Sequence, residues 1–343
     1  MNGITAIALF SGGLDSILAC RVIAARGIRV CALKFVTPFF DHHLLADEER
    51  FRQRVKEKYG IEAELVDLSS GYLELLRSPA HGFGKNFNPC IDCKIMMLRR
   101  ARELMEERKA SFLITGEVLG QRPMSQRLDT LHLIAKEAGC ADMLLRPLSA
   151  KRLTPTLPER QGWVDREQLH GFSGRGRTEQ LALAKEFCIR DFPAPAGGCV
   201  LTDPNLSVRI QRFYAGLFKR EREQIEADEI RLLLTGRQFR LPGGQWLVLG
   251  RNERENDRIA DLRQAGDWLL RTVDRPGPVA LLRGTGIGAA ERTWAAGLVA
   301  RYSKKDADGS ISTARVLLER DGEQEMLSAV PPLENNVFRA WIV

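Results

Sequence analysis

Residues 4–10 form an almost unbroken apolar run, the pattern of a strand buried on both faces. A glycine-rich turn follows, and then apolar positions at helical spacing from about Asp15 to Ala25, closed by Gly27. Val30 to Val36 reads as a second buried strand, so the opening is a strand–loop–helix–strand unit whose strands must run parallel. A helical stretch over 46–58 stops at Gly60 and precedes a third strand at Ala63–Val66. Lys94 to Glu107 is a strong helix pattern, and Ser111–Thr115 a fourth apolar strand. Strands and helices alternating in this way predict an α/β fold built on a doubly wound parallel sheet.

The pattern changes along the chain. Residues 144–202 are rich in Pro, Arg and Gly, with short helices predicted near 165–170 and 178–187. After Asp203-Pro204 come helices near 205–218 and 226–234, then a hairpin of Gln238–Leu241 and Trp246–Leu249 turned at Pro242-Gly243-Gly244. A charged helix from Asn252, strands near 268–273, 279–283, 312–318 and 337–343, and a helix at 289–301 complete a smaller α+β pattern. Two domains are expected, 1–202 and 203–343.

Composition narrows the class. The 343 residues are 44% hydrophobic and 28% charged, with no apolar run of membrane-spanning length and no leader-like start, so a cytoplasmic protein without a membrane partner is expected. The net charge of +7 favours a polyanionic partner. Seven cysteines are too few and too scattered for a disulfide framework, so clustered ones point to metal, cluster or redox chemistry.

Ser11-Gly12-Gly13-Leu14-Asp15-Ser16 joins the first strand to the first helix. Its glycines let backbone N–H groups approach an anion, the helix N-terminus supplies positive potential, and Ser11 and Ser16 add hydroxyls. Asp15 suits phosphates only if Mg²⁺ bridges it to them. The loop has neither the lysine of a Walker A motif nor the third glycine of a dinucleotide fingerprint. Asn88-Pro89-Cys90-Ile91-Asp92-Cys93-Lys94 places two thiols at a helix start, where the helix dipole is expected to enrich both in thiolate. Cys199 ends the permissive stretch 195–199, whereas Cys20, Cys31, Cys140 and Cys188 read as small core residues. Cys90, Cys93 and Cys199 can ligate a 4Fe-4S cluster, form part of a zinc site, or act without metal as a persulfide carrier and its resolving thiol.

Thr115-Gly116-Glu117 ends the fourth strand and leads into a polar loop containing Gln121, Arg122, Ser125 and Gln126, with Gly116 expected to allow close approach of a nucleotide. Phe35, at the end of the second strand, is a candidate for packing on adenine and is otherwise a core residue. His42-His43 reads as a loop pair near the nucleotide and not as a chelate. A basic stripe (Arg146, Lys151, Arg152, Arg160, Arg166, Arg175 and Arg177) with Trp163 and Phe172 is a candidate for phosphate contact and base stacking.

The glycine-serine loop resembles the pyrophosphatase loop of the N-type (PP-loop) ATP pyrophosphatases, which cleave ATP between the α and β phosphates. The Asn-Pro-Cys-x-x-Cys-Lys element, Thr115-Gly116-Glu117 and the late Cys199 together resemble the tRNA thiouridylase (tRNA sulfurtransferase) family over roughly residues 1–202. The resemblance implies an adenine nucleotide alpha hydrolase-like fold and ATP with Mg²⁺ held by Ser11, Gly12, Gly13, Asp15, Ser16, Phe35 and Gly116. It also implies Asp15, Cys93 and Cys199 as catalytic residues. Cys93 matches the essential Asn-Pro-x-x-x-Cys cysteine and Cys199 the persulfide carrier. Cys90 is an addition similar to the cluster-dependent tRNA thiolases, which implies a 4Fe-4S cluster on Cys90, Cys93 and Cys199. tRNA is the implied partner, with sulfide or a cysteine desulfurase relay as sulfur donor and a homodimer among the expected assemblies. Residues 238–241 and 250–253 resemble an RNA-associated module. Two other readings follow from the same residues: a small-molecule ligase or amidotransferase with zinc on the cysteines, and a non-catalytic nucleotide- and RNA-binding protein.

Overall fold

The first apolar run forms β1 (Thr5–Leu9), with Ala6, Ile7 and Ala8 at most 1% exposed. In order follow α1 (Leu14–Ala24), β2 (Arg29–Val36), α2 (Glu48–Tyr59), β3 (Glu62–Asp67) and α3 (Ser69–Leu75). Then come α4 (Cys90–Glu107), β4 (Phe112–Thr115), α5 (Leu128–Glu137), β5 (Leu144–Leu145), α6 (Leu157–Arg160) and α7 (Thr178–Glu186). The computed structural model describes residues 3–194, 199–220, 222–307, 309–310 and 313–343. It divides into two units, Met1–Asp203 and Pro204–Val343.

In the first unit the five strands run parallel in the order β3-β2-β1-β4-β5. Strand order reverses between β1 and β4, and the carboxyl ends of those two strands flank the crevice where such sheets bind ligands. Alternation along the strands supplies a separate core for each face. Ala6, Ala8, Ala32, Phe112 and Ile114 pack with Leu14, Ile17 and Leu18 of α1 and with Leu183 of α7. Ile7, Leu33 and Leu113 pack with Ile95, Leu98, Ala101 and Leu104 of α4 and with Ile134 of α5. The strong helix pattern begins earlier than expected, at Cys90, and the helix expected near 165–170 is a single 3-10 turn, Arg166–Gln168.

The second unit contains α8 (Pro204–Tyr214), α9 (Ala227–Leu233), β6 (Arg237–Arg240), β7 (Trp246–Leu249), α10 (Glu253–Asp261) and β8 (Trp268–Thr272). β9 (Ala280–Arg283), α11 (Ala289–Arg301), β10 (Ala314–Arg320), β11 (Glu323–Val330) and α12 (Asn335–Phe338) complete it. The six strands form one sheet in the order β11-β10-β8-β9-β7-β6, antiparallel at every pairing. Ala295, Ala296, Leu298 and Val299 of α11 share a core with Leu247, Trp268, Leu282 and Val316. The strand expected at 337–343 is α12 and a 3-10 turn, with Ile342 alone bridging to Phe239. The sixth strand is instead β11, an edge strand whose Glu323, Gln324 and Glu325 hide its apolar signal. Among the described residues no helix is long and apolar enough to cross a membrane.

Candidate active site

Ser11, Gly12 and Gly13 leave the carboxyl end of β1 and deliver the chain into α1. Gly12 takes φ +83, a left-handed conformation costly for any residue with a Cβ. Gly13 is the N-cap and no side chain caps the helix, so the first-turn N–H groups face the loop. Ser16 Oγ donates to the Gly13 carbonyl at 2.8 Å, Ser11 Oγ donates to Ser16 Oγ at 3.2 Å, and the Gly13 N–H donates to Ser11 Oγ at 3.3 Å. Asp15 stands in the first turn of α1 with Oδ1 buried and without a hydrogen-bond partner. Burial pushes its carboxyl pKa up, against a hydrogen bond from Gln121 and the nearby charges of Arg177 and Arg122. A buried carboxylate oxygen with no partner, beside an uncapped helix end, fits a divalent cation shared with phosphates.

Sequence reasoning missed Lys34. It interrupts the apolar run of β2, is 8% exposed, and its Nζ donates to the Ser11 carbonyl at 2.6 Å while pairing with Asp41 at 2.5 Å. A lone cation inside an otherwise apolar strand was the available signal. Gly116 is required for a reason other than the one expected. A Cβ there would lie 2.5 Å from the carbonyl carbon and oxygen of Asp15 and from the Ser16 nitrogen. The close approach is between the end of β4 and the phosphate loop itself.

Glu117, 5% exposed, joins α4 to the β4 end: Lys94 Nζ lies 2.5 Å from Oε1 and Arg146 Nε 3.0 Å from Oε2. Burial alone would raise its pKa, but the two cations outweigh burial and hold it down at about 2. Arg146, itself 6% exposed, also donates to the Leu131 carbonyl at 3.2 Å, so it belongs to this buried network and not to a basic surface stripe. Lys151 pairs with Glu167 at 3.2 Å, Arg160 with Asp142 at 2.8 Å, and Arg166 with Glu159. Trp163 and Phe172 pack in the α1-side core, Trp163 against Phe112 with ring centroids 6.3 Å apart. Internal ion pairing and core packing use up most of the stripe read from sequence.

The helix start at Cys90 places Cys90 and Cys93 within the first turn of α4. The Tyr72 hydroxyl donates to the Cys93 thiol, and the charges of Cys93, Cys199 and Cys90 all bear on Tyr72. Tyr72, a buried phenol that the sequence reading did not single out, thus bonds Cys93 and lies within electrostatic range of Cys90 and Cys199. Asn86 Nδ2 donates to the Thr202 carbonyl at 2.6 Å and the Phe87 N–H to the Leu201 carbonyl at 3.3 Å, stitching the Cys199 turn to the approach of α4. Residues 195–198, the permissive stretch before Cys199, lie outside the described residues.

The expected enrichment in thiolate is not found. Burial pushes Cys93 up to about 12, with Tyr72 and Lys94 opposing it, and burial also raises Cys90 and Cys199. Desolvation outweighs the helix dipole. Among the described residues no group of three or more His, Cys, Asp or Glu side chains is arranged to hold a metal ion. The thiols supply the donor chemistry for a cluster without its closed geometry.

Arg122 connects the two halves of the site, its charge bearing on both the Asp15 carboxyl and the Cys90 thiol. Phe35 is not among these residues. It is 5% exposed in the α4-side core, because β2 is an inner strand whose alternate positions are covered by that helix. His42 and His43 begin a 3-10 turn, His42–Asp47. Cys20 and Cys140 are core thiols as expected, pushed by burial to about 12 and about 11, whereas Cys188 is exposed and Cys31 half-buried.

A parallel sheet with a glycine-serine loop at its switch point, and an aspartate whose Oδ1 is buried without a partner where a Walker loop has its lysine, is the arrangement that the PP-loop resemblance implies for the first unit. Residues 3–152 match the family model of the thiamine biosynthesis protein ThiI, and residues 236–342 that of the NFACT protein RNA binding domain. Among curated proteins, a probable tRNA sulfurtransferase of Thermococcus kodakarensis is 28% identical over 142 residues, 41% of this chain and 36% of that protein. One of Ureaplasma parvum is 28% identical over 185 residues, 53% of this chain and 43% of its own. The chain thus spans less than half the length of these relatives. A solved U34-tRNA thiolase, NcsA from Methanococcus maripaludis with its 4Fe-4S cluster, superposes with TM-score 0.34 at 17% identity, over 63% of this chain and 67% of that one. A superposition that loose says nothing of a shared cofactor.

Proposed function

We propose that this chain is an ATP-dependent tRNA sulfurtransferase that adenylates a uracil carbonyl oxygen and replaces it with sulfur. The observation carrying this reading is Arg122, within electrostatic reach of the phosphate-loop carboxylate on one side and a thiol of the cysteine cluster on the other. Activation and sulfur delivery need that adjacency, because the adenylate must meet sulfur before it meets water.

A carbonyl oxygen is a poor leaving group until it carries phosphate. The loop 11–16 holds the ATP phosphates by backbone N–H groups and hydroxyls, with Lys34 bracing the loop from below. Asp15 Oδ1 and phosphate oxygens would hold Mg²⁺, whose charge offsets that of the departing pyrophosphate. The base oxygen attacks the α phosphorus and the bond to the β-phosphate oxygen breaks, releasing pyrophosphate. A cysteine desulfurase passes the outer sulfur of its own persulfide to the Cys199 thiolate and keeps its thiol; the outer sulfur of the resulting Cys199 persulfide attacks the activated ring carbon, and AMP leaves with the oxygen. Cys93 loses its proton and attacks the Cys199 sulfur. The electrons of the broken S–S bond pass to the sulfur on the base, and the resulting Cys93–Cys199 disulfide is reduced by an external thiol. Cys90, Cys93 and Cys199 are also the donor set a 4Fe-4S cluster would use. The same three thiols serve either route, as persulfide carrier and resolving thiol or as donors to a cluster that would supply the sulfide. The second unit, matching an RNA binding domain, would hold the tRNA.

The test is incubation of pure protein with ATP, Mg²⁺, tRNA and a sulfide or desulfurase donor, anaerobically, with and without cluster reconstitution. Thiouridine with stoichiometric AMP, lost in Cys199→Ser, is expected. AMP release driven by a small amine or acid and indifferent to tRNA would make it a ligase, and tRNA binding without AMP release a passive RNA-binding protein. Iron and acid-labile sulfide content distinguishes the cluster from the persulfide.

A further inference from the structure

An enzyme that modifies a nucleobase must hold it out of the stack, and an exposed aromatic face is the usual platform. Phe172 is buried in the core, and Trp163 is half-buried with its ring packed against that core. Phe83 remains: it is 39% exposed and stacked on the buried ring of Phe87, with centroids 4.3 Å apart and planes at 21°.

Single exposed hydrophobic residues are ordinary, so position and support decide the matter. The Gly84 N–H donates to the Asn88 carbonyl at 2.8 Å, closing the turn that bears Phe83 and runs directly into Pro89 and Cys90. The same turn is tied to the Cys199 segment through Asn86 and Phe87. Phe83 is thus braced on the element that assembles the thiols. Beside it, Met124 is 55% exposed, with its Cε 3.6 Å from where a Cβ on Gly84 would stand. Lys85 and Arg122 are exposed cations on the same turn and on the neighbouring loop.

We propose that Phe83, backed by Phe87 and flanked by Met124, is the platform on which an unpaired RNA base stacks as it is presented to the thiols, with Lys85 and Arg122 engaging its phosphates. The proposal rests on the RNA-thiolating reading above and adds the residue that captures the base. Exposed cations on the turn and loop that carry an exposed aromatic ring match the phosphates and the base of a single-stranded nucleotide.

Full-length wild-type, Phe83→Ala, Phe83→Leu and Phe83→Trp proteins are compared for tRNA affinity, for KM and kcat of thiolation, and for thermal unfolding. Phe83→Ala and Phe83→Leu should weaken tRNA ~5- to 150-fold, the range for losing one base–aromatic stack. Phe83→Trp should retain affinity and show added indole quenching with tRNA that a fully paired duplex does not produce. The platform is overturned if Phe83→Ala binds tRNA within twofold of wild type, if Phe83→Leu matches Phe83→Trp, or if the loss accompanies a lowered melting temperature shared by all three variants. If the wild type binds tRNA but never thiolates it, the sulfurtransferase reading fails while the binding measurements still decide the platform.

Discussion

Replacing Glu117 by Gln should destabilise the first unit more than any surface change, because two cations converge on this carboxylate. The variant keeps the shape and removes the charge, leaving Arg146 at 6% side-chain exposure without its counter-ion and Lys94 with a weaker acceptor. Unpairing a buried ion in this way costs roughly 3–5 kcal/mol. The proton linkage gives a second route to the magnitude: moving the carboxyl from 4.5 to about 2 corresponds to about 3 kcal/mol. The folded pKa is depressed, so this stability is present above pH 4.5 and lost as pH falls towards about 2. Urea unfolding of wild type and Glu117→Gln between pH 7 and 2, with hydrogen exchange read on β4 and α4 peptides, isolates the contribution as the difference between the two proteins. The difference should be largest at neutral pH and shrink below pH 4.5. A variant within about 0.5 kcal/mol of wild type at pH 7, the scatter of an ordinary surface change, would refute the reasoning.

Gly116→Ala should cost about 1–3 kcal/mol and weaken ATP, since its Cβ meets backbone that cannot rotate away; an unchanged urea midpoint contradicts this. Lys34→Met removes the donor to the Ser11 carbonyl and should raise the KM for ATP roughly tenfold or more, measured by AMP release; an unchanged KM would exclude the bracing role. With its pKa at about 12, Cys93 is on the order of one part in ten thousand thiolate at pH 8. Iodoacetamide followed by peptide mass mapping should therefore modify exposed Cys188 well before half-buried Cys93, and the reverse order would mean that Cys93 ionises far more readily than a desolvated thiol.

The doubly wound sheet was legible because parallel strands buried on both faces are local apolar runs, and the loop 11–16 because its residue types follow from the anion it must approach. β5 was not legible: two residues, Leu144 and Leu145, leave no periodicity to read. β11 was hidden by acidic and amide side chains suited to an edge. Cys90, Cys93 and Cys199 were visible as candidates, but burial raises the pKa of Cys90 and Cys93 where the helix end predicted thiolate, since local sequence does not report the burial supplied by distant segments. For Phe35 and Trp163 the sequence left a functional and a core reading open, and the structure places both in or against the core, while Arg146 lies in a buried ion-pair network. Exposure is a property of the packed unit, and a charged or aromatic residue reads the same in sequence whether it faces water or the core.

The bond from Asn86 to the Thr202 carbonyl closes a span of 116 residues, whereas the hydrogen bonds inside the phosphate loop span five residues or fewer and Lys34 braces it from 23 residues away. On the proposed chemistry, nucleotide activation and sulfur delivery then differ in fragility. A mild perturbation opens a long closure before it disturbs a contiguous strand–turn–helix. The first symptom of damage should be uncoupling: nucleotide still consumed, with the activated base lost to water because the late thiol is no longer there to receive it.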